Sequence, residues 1–405
     1  MRGYLDVLSV SRLRVPLAAT VIGAFPVGML SLGLLLYAHE LTGSLAVGGL
    51  AAAGFGLGNA AGVVVQGRLI DRYGQGRVLV VAGTACALWG VLLVAAAPVV
   101  AWPGFAVVAA AGMGLGIPAT VAGMRVLLAE LVPTPGARTA GYALLAVLFH
   151  LALLAGPLIT SLLLVPAGPG GAVVAGGFLA GGAGLLFSRT RASRNWRPRG
   201  ASARGDGLRR NAGLAVLLLI AATTGISAGV VAVAVPASAL DLGTAADSGV
   251  LIAAVSAGEI TAGLAWGARP WRWSAARLLL AALAASVVAA GMTAWAASSL
   301  VLLLPALFLV GMCSGPSAIA SSALLDTLVS RSTLTRAYTL MVSVFLVGGA
   351  LGNAAGGALT ESLGHRQTFA LNACWLAVLV AAGALLRRTL EPGSGAPARP
   401  AVRAS

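Results

Sequence analysis

The sequence has very little charge for its length. Charged residues make up 9% of the 405 residues, and because lysine is absent, all 26 basic residues are arginine. Soluble proteins carry about 25% charged residues, whereas this chain is 59% hydrophobic and has a mean hydropathy of +0.96. This composition excludes a cytosolic enzyme, a disordered protein and a secreted disulfide scaffold. Arginine without lysine is typical of the codon usage of a GC-rich bacterial genome.

Cysteine is also scarce. Cys86, Cys313 and Cys374 lie far apart, each inside an apolar run. This spacing provides neither a set of metal ligands nor a disulfide framework, so we predict no metal and no bound cofactor. The first apolar run follows Arg2, Arg12 and Arg14, is too long for the core of a signal peptide, and is expected to remain as the first membrane span.

Long hydrophobic runs dominate the rest of the chain. A membrane-spanning helix needs about 20 apolar residues. Twelve segments fit this length, at residues 15–38, 44–66, 78–98, 104–126, 139–164, 171–188, 212–236, 249–266, 278–296, 300–325, 337–360 and 368–386. We therefore predict an all-α integral membrane protein with twelve transmembrane helices.

The arginines predict the orientation of the chain. If the N-terminus is cytoplasmic, 25 arginines fall in cytoplasmic segments and Arg366 alone lies outside. Because cytoplasmic loops are rich in basic residues, we predict a multi-pass protein of the bacterial cell (inner) membrane with both termini in the cytoplasm. The basic stretch 189–210 divides an N-terminal bundle (1–188) from a C-terminal bundle (211–388), and residues 389–405 are predicted to be a disordered cytoplasmic tail.

The two halves resemble each other in their small residues. An offset of 196 positions places Gly62 on Gly258 and Gly156 on Gly352, and an offset of 199 places Gly112 of span 4 on Gly311 of span 10. Small residues at matching depths mark places where helix backbones approach closely. With six spans per half, such repeats are parallel and occur in transporters that rock two bundles about a central site.

The loop between spans 2 and 3 carries a motif. Its sequence, GRLIDRYGQGR at residues 67–77, resembles the signature G-x-L-a-D-r-x-G-r-k/r of the major facilitator superfamily. Gly67 is expected to permit close helix packing, and Gly74 a turn with positive φ. Asp71 is expected to cap a helix and pair with an arginine such as Arg72 or Arg77, and thereby to lock one conformation as a gating latch. A plain salt bridge in an exposed loop is the alternative for Asp71.

This resemblance covers residues 10–388 and implies the fold: twelve transmembrane helices as two repeated six-helix bundles around a central cavity. In this superfamily, spans 1, 4, 7 and 10 line the cavity, spans 2, 5, 8 and 11 flank it, and the others face lipid. Gly156 and Pro157 in span 5 resemble the helix-kink motif of the superfamily's drug exporters, although Thr160 and Ser161 follow where that motif has glycines. The exporters' proton-relay arginine has no counterpart, since Val108 stands at its place in span 4.

Polar side chains at membrane depth fall mostly on the eight spans around the predicted cavity. The candidates for proton coupling or substrate binding are Glu259, His150, Asn59, Thr120, Thr224, Ser317 and Asn353. An ionised carboxylate at the middle of a span costs at least ~2.5 kcal/mol, so Glu259 must either form a pair or take up a proton. We predict that it is a proton site or a counter-ion for a cationic substrate, with a fixed structural pair or a solvated position as the alternative. His150 either shares the proton pathway or bonds to a backbone carbonyl.

The residue types that are scarce in this chain limit the class of substrate that it could transport. Five asparagines, three glutamines and 5% aromatic residues are too few for a sugar carrier, and no paired arginines lie at depth for an organic phosphate. An apolar cavity with one acid suits a hydrophobic or amphipathic molecule that is neutral or weakly cationic. We predict a monomeric antiporter that exports such a molecule, similar to an antibiotic or secondary metabolite, and is driven by the proton gradient.

Alternative functions share much of this sequence pattern. A proton-coupled importer of a small apolar metabolite would have the same features and would differ in the direction of flux. A non-transporting membrane sensor could use the same fold, although an intact Asp71 motif and a deep acid argue against it. The lipid bilayer and the small-molecule substrate are the expected partners, and nucleic acid is not, because the arginines are explained by topology.

Overall fold

The computed structural model describes residues 10–97, 99–100, 102–132, 135–196, 212–267, 273–329 and 333–386. These residues form thirteen helices and no strand. The helices of the first half are α1 (Ser11–Thr42), α2 (Leu45–Tyr73), α3 (Gln75–Ala96), α4 (Gly104–Leu115), α5 (Thr120–Leu131), α6 (Pro135–Arg189) and the short α7 (Arg191–Asn195). Those of the second half are α8 (Ala212–Leu242), α9 (Asp247–Gly267), α10 (Ala275–Ala296), α11 (Leu300–Leu328), α12 (Leu334–Leu363) and α13 (His365–Leu385).

The twelve predicted spans correspond to helices of the structure, with the fourth divided between α4 and α5 and the fifth and sixth joined in α6. Eleven helical segments of the described chain are long and apolar enough to cross a membrane, with α4 and α5 counted together as one. The long helix α6 contains two predicted spans, because its chain turns at Gly168 (φ 64°, ψ −179°). Most of the predicted basic linker and all of the predicted C-terminal tail lie outside the described residues, so the domain boundaries stay a prediction.

The break between α4 and α5 in the fourth span was not predicted. Pro118 lacks an N–H group and restricts the residue before it, so the helix ends at Leu115 and resumes at Thr120. The Gln66 side chain of α2 bridges the break: its Nε2 donates to Leu115 O (3.0 Å) and Ile117 O (2.8 Å), and its Oε1 accepts from Ala119 N (2.9 Å). One buried amide thus satisfies three backbone groups in the interior of the bundle, where water cannot do so.

The two halves join at one end of the molecule. We call it the Thr42 end, where α1 ends and α2 begins, and the opposite end the Tyr73 end, where α2 ends. At the Thr42 end a buried cluster combines Leu32 of α1, Ala52 of α2, Val233 of α8 and Ile252 of α9, and so draws on both halves. The buried clusters that the described residues form toward the Tyr73 end each belong to one half, one around Leu127 and Phe187 and the other around Leu279 and Leu324.

The internal repeat is present, but its register differs from the predicted one in two of the helix pairs. In the α2–α4 pair, a Cβ at Gly58 would contact Ala111 O, and in the α9–α11 pair a Cβ at Gly258 would contact Phe308 O. Gly258 is therefore equivalent to Gly58, at an offset of 200, and not to Gly62. The prediction was wrong by about one helical turn, because small residues recur at every turn of these helices.

Other equivalent contacts define the remaining offsets. A Cβ at Gly114 would contact Phe55 O and Asn59 N, and one at Gly311 would contact Val255 O and Glu259 N. Gly311 therefore matches Gly114, and the predicted match with Gly112 was also wrong. The match of Gly156 with Gly352 agrees with the structure, because each lies against the first helix of its half, α1 or α8.

Candidate functional site

Glu259 lies near the middle of α9 and is partly buried. Its Oε1 accepts a hydrogen bond from Ser314 Oγ of α11 at 2.9 Å. The two helices approach closely at this point, since a Cβ at Gly315 would lie 3.0 Å from Glu259 O and one at Gly311 would collide with Val255 O. Small residues on α11 therefore hold the carboxylate of α9 within reach of one hydroxyl donor.

The helix phase indicates where Glu259 points. Ile252 packs in the cluster that joins both halves, and Glu259 follows it by seven residues, which places both side chains on one face of α9 at about 100° per residue. The opposite face of α9 lines an apolar groove of about 470 Å³ with α6 and α11. The groove-lining residues are Leu154, Val250, Ala253, Ala254, Ala257, Leu304, Pro305 and Phe308. Glu259 thus points away from this groove, toward the side of α9 on which the joining cluster with α1, α2 and α8 lies.

Asn59 is the repeat counterpart of Glu259. Ala52 of α2 lies in the same joining cluster as Ile252, and Asn59 follows Ala52 by seven residues, so α2 presents Asn59 as α9 presents Glu259. The Asn59 side chain is partly buried. An amide of the first half and a carboxylate of the second half therefore occupy equivalent positions, each on the helix face that carries the joining cluster.

His150 of α6 is exposed, and its Nδ1 donates to Ala146 O at 2.8 Å if the proton is on Nδ1. Its ring meets that of Phe149 edge-on, with centroids 6.1 Å apart. The His150 ring lies within electrostatic range of the Glu259 carboxylate, but these two described side chains form no ion pair within 4.0 Å. The structure thus brings His150 into the neighbourhood of Glu259 without joining them.

The other predicted cavity residues have different surroundings. Thr120 is 1% exposed and packs α5 against Gly23 of α1, so in this conformation it is part of the core of the first half. Thr224 and Ser317 donate to carbonyls of their own helices. Asn353 lies where α2, α8 and α12 converge, and its buried Oδ1 has no partner among the described residues.

The motif loop agrees with the sequence analysis in one glycine and differs in the other. Gly74 has φ 84° and separates α2 from α3, as predicted. Gly67 has open space at its Cβ position, so the predicted close packing there was wrong for this conformation. Asp71, Arg72 and Arg77 are exposed. Asp71 forms no ion pair with another described residue, while the Arg72 guanidinium lies 5.3 Å from the ring centre of Tyr73.

The Gly156–Pro157 pair lies inside α6 with helical backbone angles, and the departure from helical geometry is at Gly168. Its role in this structure is close packing, because a Cβ at Gly156 would lie 2.9 Å from Gly28 Cα of α1. The two residues that depart from the exporter motif make polar contacts. Thr160 Oγ1 donates to Met29 O at 3.1 Å, and Ser161 Oγ accepts from Gly249 N of α9 at 2.9 Å.

Three functional candidates were missed at the sequence level. Gln66 bridges the break in the fourth span, and Ser161 and Glu361 bond to helix ends of the opposite half. A glutamine at the end of an apolar span was the sequence signal for Gln66, but the segment that it bridges could not be read from the sequence. No sequence signal identified the two cross-half contacts, because they depend on how the halves dock.

The sequence matches a family model described as Major Facilitator Superfamily over residues 17–218 and 217–404. The chain belongs to this superfamily. The two matches divide the chain near the start of α8, in keeping with its two repeated halves. No curated protein matches the sequence.

Solved structures share the fold of this superfamily member at low sequence identity. The nucleoside transporter NupG has a TM-score of 0.75 at 12% identity, over 95% of this chain and 100% of that chain. A bacterial homolog of the human lysosomal transporter Spinster, inward-facing and occupied, has a TM-score of 0.74 at 13% identity, over 93% and 96%. The human organic anion transporter MFSD10 has a TM-score of 0.61 at 15% identity, over 92% and 99%. The chain is thus a multi-pass membrane protein with a transporter fold, and not an enzyme.

Proposed function

We propose that this protein is a proton-coupled antiporter that exports a hydrophobic or amphipathic small molecule. The observation that carries the proposal is the Glu259 carboxylate, held by Ser314 and directed toward the side of α9 that carries the joining cluster. A single acid in an apolar helix can be occupied by a proton or by a cationic group, but not by both. Competition between the two is the simplest way to couple their movements in opposite directions.

The arginine distribution supports placing the Tyr73 end in the cytoplasm of a bacterial cell. With this orientation, the joined halves close the outer face, and the conformation is inward-facing, as is that of the Spinster homolog. In such a state Glu259 and Asn59 would receive substrate from the cytoplasm. The exposed Asp71 fits this assignment, because its latch would form when the cytoplasmic ends meet.

The apolar surroundings of Glu259 support the substrate class. Apart from Ser314, Asn59 and His150, the neighbouring helix faces consist mainly of alanine, glycine and aliphatic residues. NupG is a nucleoside transporter and MFSD10 an organic anion transporter, but this chain has one deep acid where an anion carrier would need a positive charge. We propose a neutral or weakly cationic amphipathic substrate.

The test uses proteoliposomes in which the purified protein, or its E259Q variant, has its cytoplasmic face outward. Tetraphenylphosphonium serves as the lipophilic cation and uridine as the polar comparison. With an imposed pH gradient, acid inside, we expect wild-type vesicles to accumulate tetraphenylphosphonium but not uridine. The E259Q variant should not accumulate it, whereas D326N, an acid-to-amide change at the exposed Tyr73 end of α11, should behave as wild type. Uptake of uridine alone, or equal accumulation by E259Q, would contradict the proposal.

A further inference from the structure

The Thr42 end carries polar contacts of one kind between the halves. In the part of the chain that the structure describes, three side-chain hydrogen bonds cross from one half to the other. Each of them reaches the first turn, or the N-cap residue, of a helix that begins at this end. The first N–H groups of a helix have no partner within the helix and carry its positive dipole end, so an acceptor from the opposite half satisfies them.

Glu361 makes two of these bonds. It lies near the end of α12, and its Oε2 accepts from Ser44 Oγ at 2.6 Å and from Ala46 N–H at 2.8 Å. Ser44 is the N-cap residue of α2, and its own Oγ accepts from Val47 N at 3.2 Å. The helix α2 therefore keeps a local cap without Glu361. The two bonds that Glu361 accepts form only when the second half docks against the first.

Ser161 makes the third bond in the opposite direction. Its Oγ accepts from Gly249 N–H in the first turn of α9 at 2.9 Å, and the side chain is 7% exposed. Here α6 of the first half caps a helix of the second half. Like α2, the helix α9 also has a local polar contact at its start, because Asp247 accepts from Thr244 N at 2.7 Å.

The helix packing beside these two contacts is related by the internal repeat, although the polar side chains themselves are not at equivalent positions. Gly49 of α2 meets Asn353 O and Gly357 of α12, and Gly249 of α9 meets Pro157 O and Ser161 of α6. Gly249 follows Gly49 by 200 positions, the offset already found for these helices. The same interface is thus built twice, and each copy holds a helix start of one half against a flanking helix of the other.

We propose that Glu361 and Ser161 are positioning residues of the transport cycle that hold the Thr42 end closed. Their bonds exist when the halves meet at this end and are lost when the halves separate. The whole free energy of these bonds therefore favours the closed state over the open state. The two latches differ in strength. Glu361 is charged and makes two bonds, whereas Ser161 is neutral and makes one, so Glu361 contributes more.

The test measures the two conformations directly by double electron–electron resonance. Spin labels are attached at E40C and L363C, at exposed positions near the Thr42 ends of α1 and α12. The three native cysteines are first replaced by alanine. Wild type should show mainly the short distance of the closed end. We expect E361A to raise the ratio of open to closed molecules about tenfold, and S161A about fivefold, from the usual strengths of charged and neutral hydrogen bonds. E361Q retains an acceptor oxygen and should fall between wild type and E361A.

Neighbouring residues provide matched controls. S362A removes a hydroxyl that bonds only within α12, to Ala358 O and Leu359 O, and T160A removes a hydroxyl that bonds to Met29 O within the first half. Both controls should keep the wild-type distance distribution. Unchanged distributions in E361A, E361Q and S161A would overturn the proposal, even if their melting temperatures fall, since a purely structural cap affects stability alone. The experiment uses neither substrate nor a pH gradient, so its outcome is independent of the proposed proton coupling.

Discussion

Replacement of Gln66 by leucine tests whether one amide holds the broken fourth span together. The variant loses three hydrogen bonds, to Leu115 O, Ile117 O and Ala119 N, with lengths of 2.8–3.0 Å. Side-chain hydrogen bonds between membrane helices contribute ~0.6 kcal/mol on average and up to ~1.7 kcal/mol. Three of them therefore predict a loss of about 2 to 5 kcal/mol in the free energy of unfolding. The upper part of this range is expected, because the leucine variant leaves backbone groups unpaired where water is excluded.

The measurement is unfolding by SDS in mixed micelles, followed by tryptophan fluorescence. Gln75 offers a matched control, since its side chain is 1% exposed and its Nε2 has no partner among the described residues. Q75L removes an amide of the same size and should change the free energy of unfolding by less than half as much as Q66L. If Q66L unfolds as wild type does, or if Q66L and Q75L lose the same amount, the amide does not hold the break.

Three further outcomes follow from the site. G311A should reduce both thermal stability and transport, because a methyl group would meet the backbone next to Glu259. G263A, at a position with open space, should leave both unchanged. Thermal melting and uptake into vesicles measure the two effects. D71N should leave the melting temperature unchanged, because Asp71 forms no ion pair with the residues that the structure describes, but should slow transport in vesicles; a large loss of stability would contradict an open latch. N59L should weaken tetraphenylphosphonium binding in isothermal titration without lowering the melting temperature, and unchanged affinity would remove Asn59 from the site.

Much of the fold could be predicted because a membrane restricts the choices. Backbone groups in hydrocarbon must bond within a helix, so apolar length alone predicted all twelve spans. Most helices extend a few residues beyond at least one of the predicted ends, where local signals take over. The chain leaves α1 at Gly43 with φ 68°, and Ser44 caps α2.

The features that were missed depend on contacts between helices. The Pro118 break could not be distinguished from tolerated prolines such as Pro236 inside α8, because the bridging Gln66 lies 52 residues earlier in the sequence. The repeat register was wrong by about one turn, since glycine and alanine recur throughout, and this concealed the equivalence of Asn59 and Glu259. The position of Glu259 near the middle of a long apolar helix could be predicted from the sequence, but its donor Ser314 required the docked helices.

Competition between a proton and a cation at Glu259 is the central claim, and proton release on binding tests it most directly. Tetraphenylphosphonium is added to purified protein in weakly buffered detergent solution with a pH-indicator dye. Wild type and D326N are expected to release protons as the cation binds, while E259Q should release none. Release by E259Q equal to that of wild type would place the coupling site elsewhere and contradict the account.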